Sequence, residues 1–174
     1  TIPLPEFLRL AGVPSHPCLV STGVTVFNVG LREIFPHDFH WCYVPSPGIP
    51  FYRFGVYSNI SRRAAPPGRS SIYIECAARP ARLPAFRFPD IRNHLMRLKL
   101  VRDPKNIDVV NRLDLRYAYP VPVLGLSGYR RRLQDRLRKF DVELLGRFGA
   151  WTYVAISDVM VEAKQLARRL SGKI

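Results

Sequence analysis

Leu144-Leu145-Gly146-Arg147-Phe148-Gly149-Ala150-Trp151-Thr152-Tyr153 runs directly into a segment of helical periodicity, and its reading decides how the chain is understood. Two glycines at the exit of a short strand let a backbone come close to a flat or charged ligand. Arg147 between them offers a planar guanidinium for stacking or for pairing with phosphate. A helix starting near Ser157 would turn unpaired N–H groups and a positive dipole end toward an anion. By spacing alone, the same pattern also suits an ordinary structural turn.

Outward from this stretch, Val159, Met160, Ala163, Leu166, Ala167 and Leu170 share one face of a final helix. Asp158 and Glu162 near its start and Arg168 and Arg169 near its end complement the macrodipole, and Gly172 is a natural stop. Upstream, Glu143 to Leu145 reads as a short strand. The segment 127–140 places apolar residues at 129, 133, 137 and 140, an amphipathic helix. This closing segment, 120–174, is too small to bury a core of its own and should dock on something else. Before Pro120 the period is mostly two. Segments 23–31, 40–44, 51–58 and 70–77 alternate β-branched and aromatic residues and read as strands, and 107–119 is extended. A short helix over 5–12 and another over 90–99, capped by Asp90, complete the pattern. The expected fold class is α+β: a mixed, largely antiparallel sheet over 1–119, followed by a helix–strand–loop–helix segment.

The chain has 174 residues, 47% hydrophobic and 11% aromatic, enough to fold around a core. Its 16 prolines, roughly twice the usual ~5% share, keep the elements of the first half short. Lys and Arg number 27 against 13 acids, a formal charge of +14 that favours anionic partners. No apolar run approaches the length of a membrane span. Cys18, Cys42 and Cys76 are odd in number and widely spaced, so neither a zinc site nor a disulfide framework is expected. Cys42 and Cys76 sit in strand-like stretches and are expected to be buried thiols of a cytoplasmic, reducing setting. The opening Thr1-Ile2-Pro3-Leu4-Pro5 lacks both an initiator Met and the features of a signal peptide, which suggests a start inside a longer protein.

The closing segment resembles the C-terminal flavin-binding stretch of FAD-dependent amine oxidase-like flavoproteins, in the branch of UDP-galactopyranose mutase and protoporphyrinogen oxidase-like proteins. That family ends with an extended stretch closing on Tyr-Pro, a helix and a strand. It then continues Gly-Arg-x-Gly-x-(aromatic)-x-Tyr before a last helix. Tyr119-Pro120, the segment 127–140, Glu143–Leu145 and Gly146 to Tyr153 follow in that order. TIPLP (1–5) and HWCYVPSPGIPFYRFGVYSNIS (40–61) are similar to the substrate-domain half of such proteins. The resemblance implies a substrate-binding region over 1–119 and a segment completing an FAD-binding domain over 120–174. It implies flavin contacts from Gly146, Arg147, Phe148, Gly149, Trp151 and Ser157, with Tyr119 and Tyr153 facing an anionic substrate such as a nucleotide sugar. Relatives commonly follow the last Tyr with x-Asn/Asp-Met-Asp, where this chain has Val154-Ala155-Ile156-Ser157, so mutase chemistry is in doubt while Ser157 can still cap the helix. No GxGxxG stands anywhere in these residues, so FAD should be held only together with an N-terminal dinucleotide-binding part. The expected function is the later portion of an FAD-dependent oxidoreductase or mutase-like flavoenzyme, inactive alone.

Other residues leave alternatives open. Arg53, Gly55 and Tyr57 would share one strand face with Tyr52 opposite; Tyr52 and Arg53 could line a phosphorylated-substrate pocket or simply pack. His40 heads a strand but has no evident catalytic partner, and no residue declares itself catalytic. Arg130, Arg131, Arg132, Arg136, Arg138 and Lys139 load one helix with cations, the footprint of a basic nucleic-acid-binding module as the alternative function. The same helix could meet an acidic membrane surface, although its apolar face is narrow.

Overall fold

The alternation in the first half builds a five-stranded sheet. The computed structural model describes residues 2–78 and 86–172. Its strands are β1 (Ser21–Leu31), β2 (Trp41–Tyr43), β3 (Arg53–Val56), β4 (Ser70–Ala78) and β5 (Ile107–Pro120). The helices are α1 (Leu4–Leu10), α2 (Tyr57–Ile60), α3 (Phe88–Arg97), α4 (Leu126–Arg138), α5 (Gly146–Gly149) and α6 (Ile156–Ser171). The sheet order is β2-β3-β4-β1-β5. β4 pairs antiparallel with both β1 and β3, with Ile74 opposite Phe27 on one side and Phe54 on the other. Across to β5, Thr25 meets Asp114 while Arg32 meets Asp108, so β5 also runs against β1. The class expected from the sequence, α+β with a largely antiparallel sheet, is the class observed.

By contact the chain divides into two compact units, Gly23–Arg116 and the combination of Thr1–Thr22 with Tyr117–Ile174. In the first, period two puts Phe27, Val29 and Leu31 of β1 beside Phe54, Val56, Ile72, Ile74 and Cys76, and α3 covers them with Ile91 and Leu95. Burial pushes the Cys76 thiol up to about 12, which keeps it protonated. Gly55 is required because Tyr73 crosses it: a Cβ there would stand 2.2 Å from the Tyr73 ring, which in turn packs on Tyr57 at 4.7 Å.

The second unit has a core in which the N-terminal helix meets the C-terminal stretch. Leu4 and Leu8 of α1 and Cys18 pack with Leu126, Leu133 and Leu137 of α4 and with Trp151. The sequence reading drew one break near Tyr119 and gave the closing segment no core; residues 4–18 supply the missing half. Trp151 sits at φ 51°, a left-handed backbone, and is fully buried.

Several local expectations are corrected. Glu143–Leu145 is not a strand: among the described residues no strand pairs with its backbone, and the Gln134 side chain accepts from Leu144 N–H at 3.0 Å instead. The stretch after it is a helical turn, α5, entered through Gly146 at φ 71°. The strand over 51–58 shortens to Arg53–Val56 because Tyr57–Ile60 turns helical. α3 begins at Phe88, so Asp90 lies in its first turn and pairs with Arg87 rather than capping. α6 is capped at Ala155, leaving Ser157 inside the helix. Cys42 is exposed, while Cys18 and Cys76 are buried.

Candidate functional site

The short turn α5 and the loop behind it bring together three of the residues singled out in the sequence. Arg147 Nε and Nη2 both donate to the carbonyl of Val154, at 3.0 and 2.7 Å. This fork pulls the loop 150–155 back over α5 and fixes the guanidinium plane. The guanidinium lies 5.5 Å from the Tyr119 ring centre and 5.1 Å from that of Tyr153, whose centroids are 6.0 Å apart. An arginine held between two tyrosines and tied to a carbonyl is preorganised, and its positive charge remains for an anion or an electron-rich ring.

The neighbours divide into supports and surfaces. Gly146 is buried, and a Cβ on it would meet Val159 of α6 at 3.1 Å, so its absence lets α5 close on α6. Gly149 has no atom within 4 Å of where a Cβ would stand, leaving open space beside its backbone. Phe148 and Tyr153 are exposed, as is Ser157 in the first turn of α6. Trp151 lies beneath them in the core, edge-on to Tyr117 at 5.8 Å. Asp158 is turned back to accept from Ala155 N–H at 2.8 Å, and the N–H groups of Ile156 and Ser157 have no acceptor among the described residues.

Tyr52 and Arg53 belong to the other unit. Both converge on Glu75 of β4: the Tyr52 hydroxyl donates to one carboxylate oxygen, and Arg53 Nη2 lies 2.7 Å from both. Both side chains thus reach one carboxylate although they are sequence neighbours, Tyr52 lying just before β3 and Arg53 opening it. Glu75 was not singled out in the sequence; a strand acid acquires meaning only once the register sets it opposite Arg53. Trp41 and Tyr43 of β2 extend the aromatic cluster, with Tyr43 6.4 Å from Tyr52. His40 and the other histidines form no group with Cys, Asp or Glu that could hold a metal among the described residues. No described helix is long and apolar enough to cross a membrane.

The α+β fold that carries these residues is shared with solved structures. The chain is similar to a reduced UDP-galactopyranose mutase, with a TM-score of 0.72 and 22% identity over 88% of this chain and 36% of that one. It is also similar to a protein assigned as a protoporphyrinogen oxidase from Exiguobacterium sp. 255-15, with a TM-score of 0.73 and 13% identity over 100% of this chain and 40% of that one. At these identities the likeness is one of fold, and the chain spans well under half the length of either protein. No protein-family model matches it. These two proteins belong to the branch that the sequence resembles.

Proposed function

We propose that this chain is the later portion of an FAD-dependent oxidoreductase or mutase-like flavoenzyme, supplying contacts to the flavin edge and part of a pocket for an anionic substrate. The observation that carries the reading is the convergence of Tyr119, Arg147 and Tyr153 just ahead of the N-terminus of α6. The residues present fit such a group. The open space at Gly149 admits a flat ring beside the backbone, and the N–H groups of Ile156 and Ser157 face no competing acceptor. Arg147 would hold the edge on which negative charge develops, with Gly146 and Phe148 shaping the approach. When bound, the flavin supplies a hydride acceptor at N5, or a nucleophile there in mutase-type chemistry. Tyr119 and Tyr153 would orient a substrate phosphate, and Tyr52 and Arg53 would line the substrate region. The dinucleotide cradle would come from a GxGxxG stretch outside these 174 residues.

The test compares this chain with a polypeptide that also carries such a stretch. The chain alone should purify colourless and bind added FAD weakly. In the longer polypeptide, Arg147→Ala should weaken FAD binding, read by flavin fluorescence, by at least about tenfold, roughly 1.4 kcal/mol. Arg62→Ala, on an exposed turn, should leave it unchanged. Stoichiometric flavin on the isolated chain, or no effect at Arg147, would overturn the reading.

A further inference from the structure

A cleft of about 470 Å³ opens between α4 and α6. Arg130 and Arg131 of α4 and Arg169 of α6 line it, against a single carboxylate, Glu162. None of these three arginines is ion-paired among the described residues, although Arg138, two turns further along α4, is held by Glu143 at 3.1 Å. Arg130 Nε is buried with no acceptor, a state that is unfavourable unless something accepts from it. The floor is rigid: Gln134 donates to Val142 O at 3.3 Å and accepts from Leu144 N–H, fixing the backbone at one end of the cleft. Ser127 and Arg130 also line an adjoining cavity of about 190 Å³ walled by Tyr153.

We propose that the α4–α6 cleft binds a phosphate-bearing small molecule through Arg130, Arg131 and Arg169. Three guanidinium groups against one carboxylate leave an excess of two positive charges, which matches a phosphate dianion better than a monocarboxylate. Planar N–H forks suit the tetrahedral face of phosphate, and the orphaned Nε of Arg130 gains its acceptor when the anion enters. The volume falls in the range of small-molecule pockets, large enough for a nucleoside diphosphate. The cations converge on a concavity instead of following an exposed helix face, so a discrete ligand fits better than a run of nucleic-acid phosphates. The adjoining cavity shares Trp151 and Tyr153 with the contacts proposed above, whereas Arg130, Arg131 and Arg169 are not among them, so the cleft proposal stands without that reading.

Titration calorimetry of the 174-residue chain with inorganic pyrophosphate, alongside ³¹P line broadening, tests it. Saturable one-to-one binding is expected, lowered at least about tenfold by Arg130→Gln and by Arg169→Gln, and unchanged in Arg62→Gln. Arg169 is exposed on α6, so its variant should keep the native circular dichroism and serves if Arg130→Gln fails to fold. A parallel titration with a nucleoside diphosphate separates the sources: tighter binding assigns the phosphate to a nucleotide, and equal binding to free diphosphate. No loss in either cleft variant, an equal loss in Arg62→Gln, or single-stranded RNA binding that ignores both cleft substitutions would overturn the proposal.

Discussion

Replacing Arg147 with Ala should destabilise its unit even without any ligand, and the size of the effect follows from the contacts. The side chain makes a two-pronged, charge-assisted interaction with Val154 O and lies against two tyrosine rings. A hydrogen-bonded charged group of this kind contributes ~1.5–3 kcal/mol, and each ring contact at a partly exposed site adds ~0.5–1 kcal/mol. Arg147 is only half-buried and Tyr153 is exposed, so solvent screening brings the expected total to about 2 kcal/mol. With a urea slope of ~1–3 kcal/mol/M, the unfolding midpoint should fall by roughly 1 M. The reporter is built in: Trp151 is fully buried in the same core, whereas Trp41 is 53% exposed and can be removed as Trp41→Phe. Urea unfolding of that background, followed by Trp151 emission, gives the midpoint. Arg147→Lys should recover less than half of the loss, because an ammonium cannot reproduce the fork. A midpoint shift below about 0.2 M, or full recovery by lysine, would refute the argument that the guanidinium plane holds the loop.

Two further outcomes concern the sheet unit and the thiols. Asp114 accepts from Thr25 at 2.6 Å and from Arg112, and the Thr25 hydrogen bond is the main cause holding its carboxyl below the ordinary range. A depressed native pKa stabilises the fold above the unfolded value of ~3.9, and that contribution is lost as pH falls through the native pKa. Thr25→Val should therefore lower the melting temperature at pH 6 and flatten its decline between pH 4 and pH 2; parallel wild-type and variant curves across that window would count against this. Native chain treated with a thiol reagent should label rapidly at Cys42 alone, with Cys18 and Cys76 reacting only after unfolding; rapid native labelling at Cys76 would contradict its burial.

The β1 and β4 strands and the helices α3 and α4 were legible because each carries its own period: alternation for a half-buried sheet, and three-to-four spacing for a helix with one packed face. The short elements were not. Glu143–Leu145 has strand-like composition, but a strand exists only where another backbone accepts it, and the side chain of Gln134 takes that place. Ala155 carries no capping oxygen, so nothing in its identity announces the start of α6; the acceptor comes from Asp158, reaching backward. Gly-Arg-x-Gly pointed to Arg147, yet its partner is the carbonyl of Val154, and a backbone acceptor leaves no mark in a sequence. The packing of α1 against α4 lay beyond local reading for the same reason that the cleft at Arg130 and Arg169 did: both join residues far apart in the chain.

The division of the chain also sets the order in which it can assemble. Gly23–Arg116 is a continuous insert in the sequence, and the other unit is made from the two pieces that flank it in the chain. Joining those pieces across a disordered stretch of roughly a hundred residues would cost about 4 kcal/mol in closure entropy. A folded insert removes most of that cost, because its first and last strands are neighbours in one sheet and deliver the flanks together, with Val121 N–H donating to Val20 O at 2.8 Å. The insert is thus a splint for the unit that carries Arg147. Substitutions that slow folding of the sheet should delay maturation of the Arg147 cluster, and a short turn linking Thr22 to Tyr117 should let the two-piece unit form alone.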